Sequence, residues 1–172
     1  MVMFPMNAGC YSWEGGTNDQ VRVRLDFQPG YKLDVDVWWK SKDATPCMRL
    51  WVPLQHQSAR FGDLTGNGYG SKLHRRGFGT FAVNLAVQVL QKTYEPDAPV
   101  SGILSNPSDP TDQKTRLEHA RRMFWSQFGL TVSSGHYEQL AGTVGGLRCV
   151  HEGLVAGQFS RYLDLCNFSA CK

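Results

Sequence analysis

The segment best suited to chemistry is a basic, glycine-containing string that directly precedes a strong helix pattern. It runs from Leu73 to Thr80 with the sequence LHRRGFGT. Glycines at Gly77 and Gly79 let the backbone approach a ligand closely, and the N–H groups of a first helical turn attract anions. Arg75 and Arg76 add positive charge. The string therefore predicts a phosphate-binding cradle, with a tight strand-to-helix turn and a solvated basic face as the simpler alternative.

The elements that must position this cradle are strands before it and helices around it. Two-residue alternation predicts strands over 21–27, 33–39 and 48–54. Helical spacing predicts one helix starting at Phe78 and a second over 112–128, with a short strand at 100–104 between them. Further strands are expected near residues 59–64, 130–133, 147–151 and 159–165.

This order of elements predicts one domain over residues 1–172, of α+β or mixed α/β class, in which a mostly antiparallel sheet carries helices on its faces. The chain has 172 residues and a net charge of only +3, which argues against nucleic acid as its main partner. No stretch approaches the roughly 20 apolar residues of a membrane helix. Five cysteines without CxxC spacing indicate reduced thiols and a cytoplasmic location.

Two strings together resemble a known family. His74-Arg75-Arg76-Gly77-Phe78-Gly79 resembles the pyrophosphate-binding loop of the GNAT acyltransferases, matching both glycines and differing at the first position, where His74 stands. FWSQFGL, from Phe124 to Leu130, is similar to the family's second landmark of an aromatic pair, three residues, glycine and an apolar residue. The resemblance implies a GNAT-like splayed, mixed, mostly antiparallel sheet flanked by helices, with acyl-CoA between two central strands.

The resemblance also implies a function, namely acyl-CoA-dependent transfer of an acetyl or other acyl group directly to an amine. The implied cofactor-binding residues are Leu73, His74, Arg75, Arg76, Gly77, Phe78, Gly79, Thr80, Asn106 and Trp125. Trp125 stands where many family members carry a tyrosine that protonates the departing thiolate, which leaves the general acid open. Asp63, before the loop, is the candidate general base, and Tyr69 is a candidate acid.

Two other functions fit the same residues. His74, Glu118 and Trp125 depart from the family pattern, which favours a catalytically degenerate GNAT-like module that binds CoA or a protein. The basic residues of the loop and the Arg121-Arg122 pair favour a binder of polyanions. No metal is expected, because the histidines show no ligand spacing. The expected partner is an amine-bearing acceptor, and a homodimer is compatible with this prediction.

Overall fold

A computed structural model of the protein describes residues 7–15, 21–40, 43–62, 64–66, 77–104, 113–133, 138–151, 154–155, 159–160 and 162–172. The first six strands are Gly9–Gly15 (β1), Val21–Gln28 (β2), Lys32–Trp38 (β3), Met48–Gln55 (β4), Ser58–Phe61 (β5) and Leu64–Gly66 (β6). The others are Pro99–Leu104 (β7), Thr131–Val132 (β8), Glu138–Thr143 (β9), Leu154–Val155 (β10), Phe159–Ser160 (β11) and Ser169–Ala170 (β12). The α-helices are Phe78–Thr93 (α1) and Gln113–Ser126 (α2).

The strands of the described residues build one large mixed sheet. Its order is β12-β1-β2-β3-β4-β5-β7-β9-β8, with β6 paired to β4, and β10 and β11 form a separate hairpin. The one parallel pair among them is β5 and β7, where Ala59 lies beside Val100 and Phe61 beside Gly102. All the other strand pairs described are antiparallel.

Both α-helices pack on the same face of this sheet. Burial alternates along the strands, as in β2, where Val21, Val23, Leu25 and Phe27 are buried and the residues between them are not. Helix α1 packs on this buried face against β3 and β4. Trp125 of α2 contacts Phe61 of β5 there, with ring centroids 5.4 Å apart. The sheet therefore has an inner, helix-covered face and an outer face.

The GNAT-like fold class predicted from the sequence is wrong. That prediction required a sheet flanked by helices on both faces. The described part of the chain is instead mainly a ten-stranded mixed sheet with two α-helices, and these lie on the inner face. The strands expected over 21–27, 33–39, 48–54 and 100–104 and the helices expected from Phe78 and over 112–128 are present, with ends that differ by one or two residues. Alternation and helical spacing are local patterns, so they predict single elements and not how these assemble.

Charged side chains cover the outer face of β2, β3 and β4, where a helix layer was expected. The carboxylate of Asp36 lies 2.6 Å from Arg24 and 3.1 Å from Arg49. Lys32 lies 2.8 Å from Asp26 and 2.6 Å from Asp34, and the hydrogen bonds that its ammonium group donates to these two carboxylates raise its pKa. Such cross-strand pairs keep the outer face polar and compatible with water.

Two neighbouring tryptophans, Trp38 at the end of β3 and Trp39 directly after it, lie on opposite faces of the sheet. Trp39 points inward and meets Phe78 of α1 edge to face, with centroids 5.8 Å apart. Trp38 lies on the outer face, where the guanidinium of Arg22 covers its ring at 4.2 Å from the centroid. Cation–π contact and the aliphatic stem of the arginine thus bury an outward-facing aromatic ring.

Helix α1 is buried on both sides, and its polar side chains Asn84, Gln88 and Gln91 lie in one narrow stripe along it. The side chain of Asn84 donates to the carbonyl of Val150 at 2.8 Å and accepts from the N–H of Val150 at 2.8 Å. Gln88 donates to the carbonyl of Leu163 at 2.9 Å and accepts from the N–H of Leu165 at 3.2 Å. These amides pair with backbone groups of extended chain that would otherwise be buried without partners.

A disulfide joins the two ends of the described chain. Cys10 in β1 is bonded to Cys171, although 161 residues separate them in the sequence. The prediction that all cysteines are reduced is therefore wrong for this pair. Cys47, Cys149 and Cys166 are free thiols, and burial raises the pKa of Cys47 and Cys149 to about 11. Neither described helix is long and apolar enough to cross a membrane.

Replacing Asn84 with alanine should destabilise the fold by about 2–4 kcal/mol, because two backbone groups of Val150 lose their partner beside a fully buried position. The measurement is equilibrium unfolding in urea. Gln91→Ala is the matched control, since exposed Gln91 makes one such bond, to the carbonyl of Leu147, and its loss should change stability by at most about 1 kcal/mol. Equal unfolding midpoints for the two variants would contradict this role of Asn84.

Candidate functional site

The sheet opens where its parallel pair of strands ends. β5 and β7 run side by side as far as Phe61 and Gly102. The chain then stays with β4, because the N–H of Gly62 donates to the carbonyl of Trp51 at 3.0 Å and β6 pairs with β4 from Leu64. β7 instead continues beside β9 to its end. The opening between β6 and the end of β7 is the cleft.

The cleft contains a cavity of about 280 Å³. On the β6 side of the opening it is lined by Gly62, Leu64 and Thr65. From β7 and α2 it is lined by Ile103, Leu104, Arg121, Phe124 and Trp125. Leu104 is buried on the inner face, whereas Ile103 is 49% exposed on the outer face. The cavity is therefore a slot through the sheet, with walls that are mostly apolar.

The N-terminus of α1 borders this cavity. Gly77 precedes the helix with φ at 92°, a left-handed conformation that glycine adopts readily. This conformation sets the direction in which the helix starts. A Cβ atom added at Gly79 would lie 3.5 Å from Leu64 and 3.5 Å from Phe124, and both of these residues line the cavity. The positive end of the helix dipole is therefore next to the cleft.

Within the described residues, the start of α1 offers its backbone groups to the predicted phosphate cradle. The side chains of Phe78 and Thr80 are buried in the core, at 1% and 5% exposure. The first-turn N–H groups of residues 78–80 point out of the helix, as at any helix start, and they can donate to an anion. The structure thus places Gly77, Phe78, Gly79 and Thr80 beside the cleft, with their main chain as the candidate ligand surface.

Trp125 lies in the same cavity wall, as a packed core residue. It is 4% exposed, and its ring contacts those of Phe61, Phe124 and Phe128 at centroid distances of 5.4, 5.2 and 6.4 Å. An indole N–H can donate a hydrogen bond but cannot supply a proton at neutral pH. Trp125 therefore shapes the cavity and cannot act as a general acid.

Several predicted site residues lie outside the described residues. They are Asp63, Tyr69, Leu73, His74, Arg75, Arg76 and Asn106. Their assigned roles stay predictions. Asp63 stands in the sequence between Gly62 and Leu64, which both line the cavity.

A charged cluster missed at the sequence level borders the cleft. Glu138, at the start of β9, is 3% exposed and accepts hydrogen bonds from two arginines of α2. Arg121 bonds one carboxylate oxygen with Nε at 3.2 Å and Nη2 at 2.7 Å, and Arg122 bonds the other oxygen. Burial alone would raise the pKa of Glu138, but the hydrogen bonds and charges of Arg122 and Arg121 outweigh it and hold the pKa below its usual value.

This cluster revises one interpretation of the arginine pair. Arg121 and Arg122 were part of the basis for predicting a polyanion binder, together with the basic residues of the loop, yet both of them pair with Glu138. The sequence feature that could have indicated this cluster is Glu138 itself, the one acidic residue of the strand EQLAGT and its first residue. A buried carboxylate requires cationic partners, but the sequence does not say which cations face it.

A second, larger cavity of about 410 Å³ lies at the other end of α1. Its wall includes His56, Tyr94, Glu95 and Asp97. Two carboxylates and the negative end of the helix dipole would repel a phosphate there. Within the described residues, no group of His, Cys, Asp or Glu side chains is arranged to hold a metal ion.

Neither a protein-family model nor a curated protein sequence matches this chain. The assignment of function therefore depends on the geometry of the cleft.

Glu138→Gln should lower stability by about 1–3 kcal/mol at neutral pH, because a neutral amide cannot balance two guanidinium groups. The folded-state pKa of Glu138 is lowered, so its contribution is complete above the ordinary value of 4.5 and is lost as the pH falls through the lower folded value. When the pH is lowered below 4.5, the free energy of unfolding should therefore fall less for the variant than for wild type.

The measurement is urea unfolding over a pH series, with Glu118→Gln, which changes a carboxylate on the helix α2 that carries the two arginines, as control. The control should follow the wild-type curve. A Glu138→Gln curve that coincides with wild type at every pH would show that the cluster does not stabilise the fold.

Proposed function

We propose that the protein transfers an acyl group from a CoA thioester to an amine, with the donor bound in the cleft. The observation that carries this proposal is the meeting of a slot through the sheet with the N-terminus of α1 at Gly79. A CoA thioester has the matching parts: a narrow arm that can lie in an apolar slot and a diphosphate that suits a helix N-terminus.

The strand backbone supports an extended ligand. Between Leu64 and Gly66, β6 pairs with β4, and the described strands show no partner for β6 on its β7 side. Amides of the donor's arm can pair with main-chain groups there, as an added strand would. The cavity of about 280 Å³ has room for the arm's end and the acyl group, leaving the nucleotide outside.

The proposed reaction is direct transfer and needs no enzyme nucleophile. The amine nitrogen attacks the thioester carbonyl carbon, the carbon–sulfur bond breaks, and the CoA thiolate leaves and takes a proton. The substrate ammonium first loses a proton to a general base. Asp63 is our candidate for this base because Gly62 and Leu64 on either side of it line the cavity, and Tyr69 is our candidate for the acid.

Binding without turnover is the second candidate function. It is favoured by the burial of Trp125, which occupies the cavity wall with no acidic proton to give. A CoA-binding or protein-interaction module would hold CoA in the cleft and release no thiol from acetyl-CoA when amines are present.

A cytoplasmic location is part of the proposal, because CoA thioesters are intracellular metabolites. The Cys10–Cys171 disulfide is instead typical of an oxidising compartment. Cell fractionation tests the location, and the proposal expects the protein in the cytosolic fraction.

Gly79→Glu should weaken CoA binding at least about tenfold, because its carboxylate would lie beside the cavity and the helix N-terminus and repel the diphosphate. Gly79→Ala is the control, since the added Cβ makes only ordinary contacts at 3.5 Å and should leave affinity nearly unchanged. Isothermal titration with CoA measures both. Unaltered affinity in the Glu variant would remove α1 from the binding site.

Asp63→Asn should reduce kcat about 100-fold, the lower range for loss of a general base, while the Kd for CoA stays unchanged. Thiol release from acetyl-CoA gives kcat, and titration gives Kd. A parallel loss of affinity and turnover would indicate that Asp63 binds the donor or supports the fold.

A further inference from the structure

Two large apolar side chains are exposed at the outer mouth of the cleft. Trp51 of β4 is 48% exposed and Ile103 of β7 is 49% exposed, and both lie on the outer face of the sheet. Gly62 stands between them, because its N–H donates to the carbonyl of Trp51 at 3.0 Å. On its other side, the parallel register of β5 and β7 leads from Gly62 toward Ile103. Gly62 and Ile103 both line the cavity, so this apolar mouth is continuous with the slot.

The indole ring of Trp51 lies against Gly62, at the edge of the cavity. A Cβ atom added at Gly62 would come within 3.1 Å of Cε3 in the indole ring and within 2.8 Å of the carbonyl oxygen of Trp51. The lack of a side chain at Gly62 is therefore what allows the ring to lie there. A half-exposed indole at the mouth of an apolar slot is suited to packing against a flat apolar group.

The outer mouth is the side of the cavity that is left for the acceptor. The inner side is lined by α2, whose Trp125 is buried, and it is bordered by the start of α1, where Gly79 lies near Phe124. In the proposed function, the start of α1 holds the diphosphate of the donor. The amine then approaches the thioester from the outer face, past Trp51 and Ile103.

The charges at this mouth disfavour an acceptor with several amino groups. Asp34 of β3 lies directly across from Trp51, but its carboxylate is 2.6 Å from the ammonium group of Lys32. Exposed Arg60 lies on the outer face of β5, just before Gly62, and adds a positive charge. A polyamine or a lysine-rich peptide would be repelled by Arg60 and would find the carboxylate of Asp34 already paired.

We infer that the acceptor is a primary amine with a flat apolar body, such as an aromatic ring on a short alkyl chain. Its body packs on Trp51 and Ile103 while its amino group enters the slot. The inference rests on the proposed function, and the transfer is the same: the nitrogen–carbon bond forms, the carbon–sulfur bond breaks, and CoA leaves as the thiol. Trp51 is a specificity-determining residue and takes no part in proton transfer.

The test is the rate of amine-dependent thiol release from acetyl-CoA by the full chain, with phenethylamine, ethylamine and spermidine as acceptors. Wild type should have a kcat/KM about tenfold higher for phenethylamine than for the other two amines, as expected for packing one aromatic ring. Trp51→Ala should lower the kcat/KM for phenethylamine about tenfold, through KM, and leave the kcat/KM for ethylamine and the Kd for CoA unchanged. Trp51→Phe keeps an aromatic ring and should retain most of the preference.

Tyr31→Ala is the matched control, because it removes an exposed aromatic side chain that does not line the cavity. It should keep the preference for phenethylamine, and urea unfolding checks that the variants are folded. A wild-type kcat/KM for phenethylamine no higher than for the other amines, a preference that survives in Trp51→Ala, or an equal loss in Tyr31→Ala would overturn the inference and leave the proposed function intact.

The remaining outcomes bear on the proposed function as well. If wild type binds CoA but releases no thiol with any of the three amines, the inference is overturned and the second candidate function, binding without turnover, is favoured. Failure to bind CoA would overturn the proposed function itself, and the inference with it.

Discussion

Helix α1 is buried between the sheet and the part of the chain that follows β9, and the rest of the structure depends on this constraint. A helix enclosed on both sides must be apolar nearly all round, yet α1 keeps Asn84, Gln88 and Gln91 on one stripe. These three amides hydrogen-bond to backbone groups of Leu147, Val150, Leu163 and Leu165, so chain that is not helical can pack on α1 with its polar groups paired. Leu165 and Phe168 then complete the core, and the disulfide fixes the chain end to β1.

The position of α1 also sets the position of the cleft. Its start lies against Leu64 in β6, while its body packs on β3 and β4. β6 is paired with β4, and β7 is paired with β9 over six residue pairs. The separation of the two strands after Phe61 is a consequence of these competing pairings. A helix N-terminus beside the resulting slot is the arrangement that gives the proposed acyl donor its two contact regions.

The local elements could be predicted from the sequence and their assembly could not. Alternation from Val21 to Phe27 and helical spacing from Phe78 depend on neighbouring residues, so they were recognisable. β1 was not predicted, because the glycines in and after it obscure its alternation. A strand was predicted at residues 147–151, but the structure has none there. Their apolar residues pack on α1, which Asn84 alone could have suggested.

On the outer face and in the site, too, the contacts between elements could not be predicted from the sequence. Asp26, Asp34 and Asp36 alternate as strand residues must, but nothing in their spacing says that cations on neighbouring strands, and not a helix, would cover them. In the site, the structure brings the start of α1 and Trp125 to one cavity, and their assigned roles in binding stay predictions. The pairing of Arg121 with Glu138 joins a helix to a distant strand, and sequence patterns do not encode such contacts.

The central claim, that the opening between β6 and β7 and the start of α1 together bind a CoA thioester, is tested most directly by hydrogen–deuterium exchange of the wild-type protein with and without CoA. The account predicts slower exchange in Leu64–Gly66, at residues 78–81 and around Phe124, with no change in β2 and β3. Protection confined to other parts of the chain, or none at saturating CoA, would contradict it.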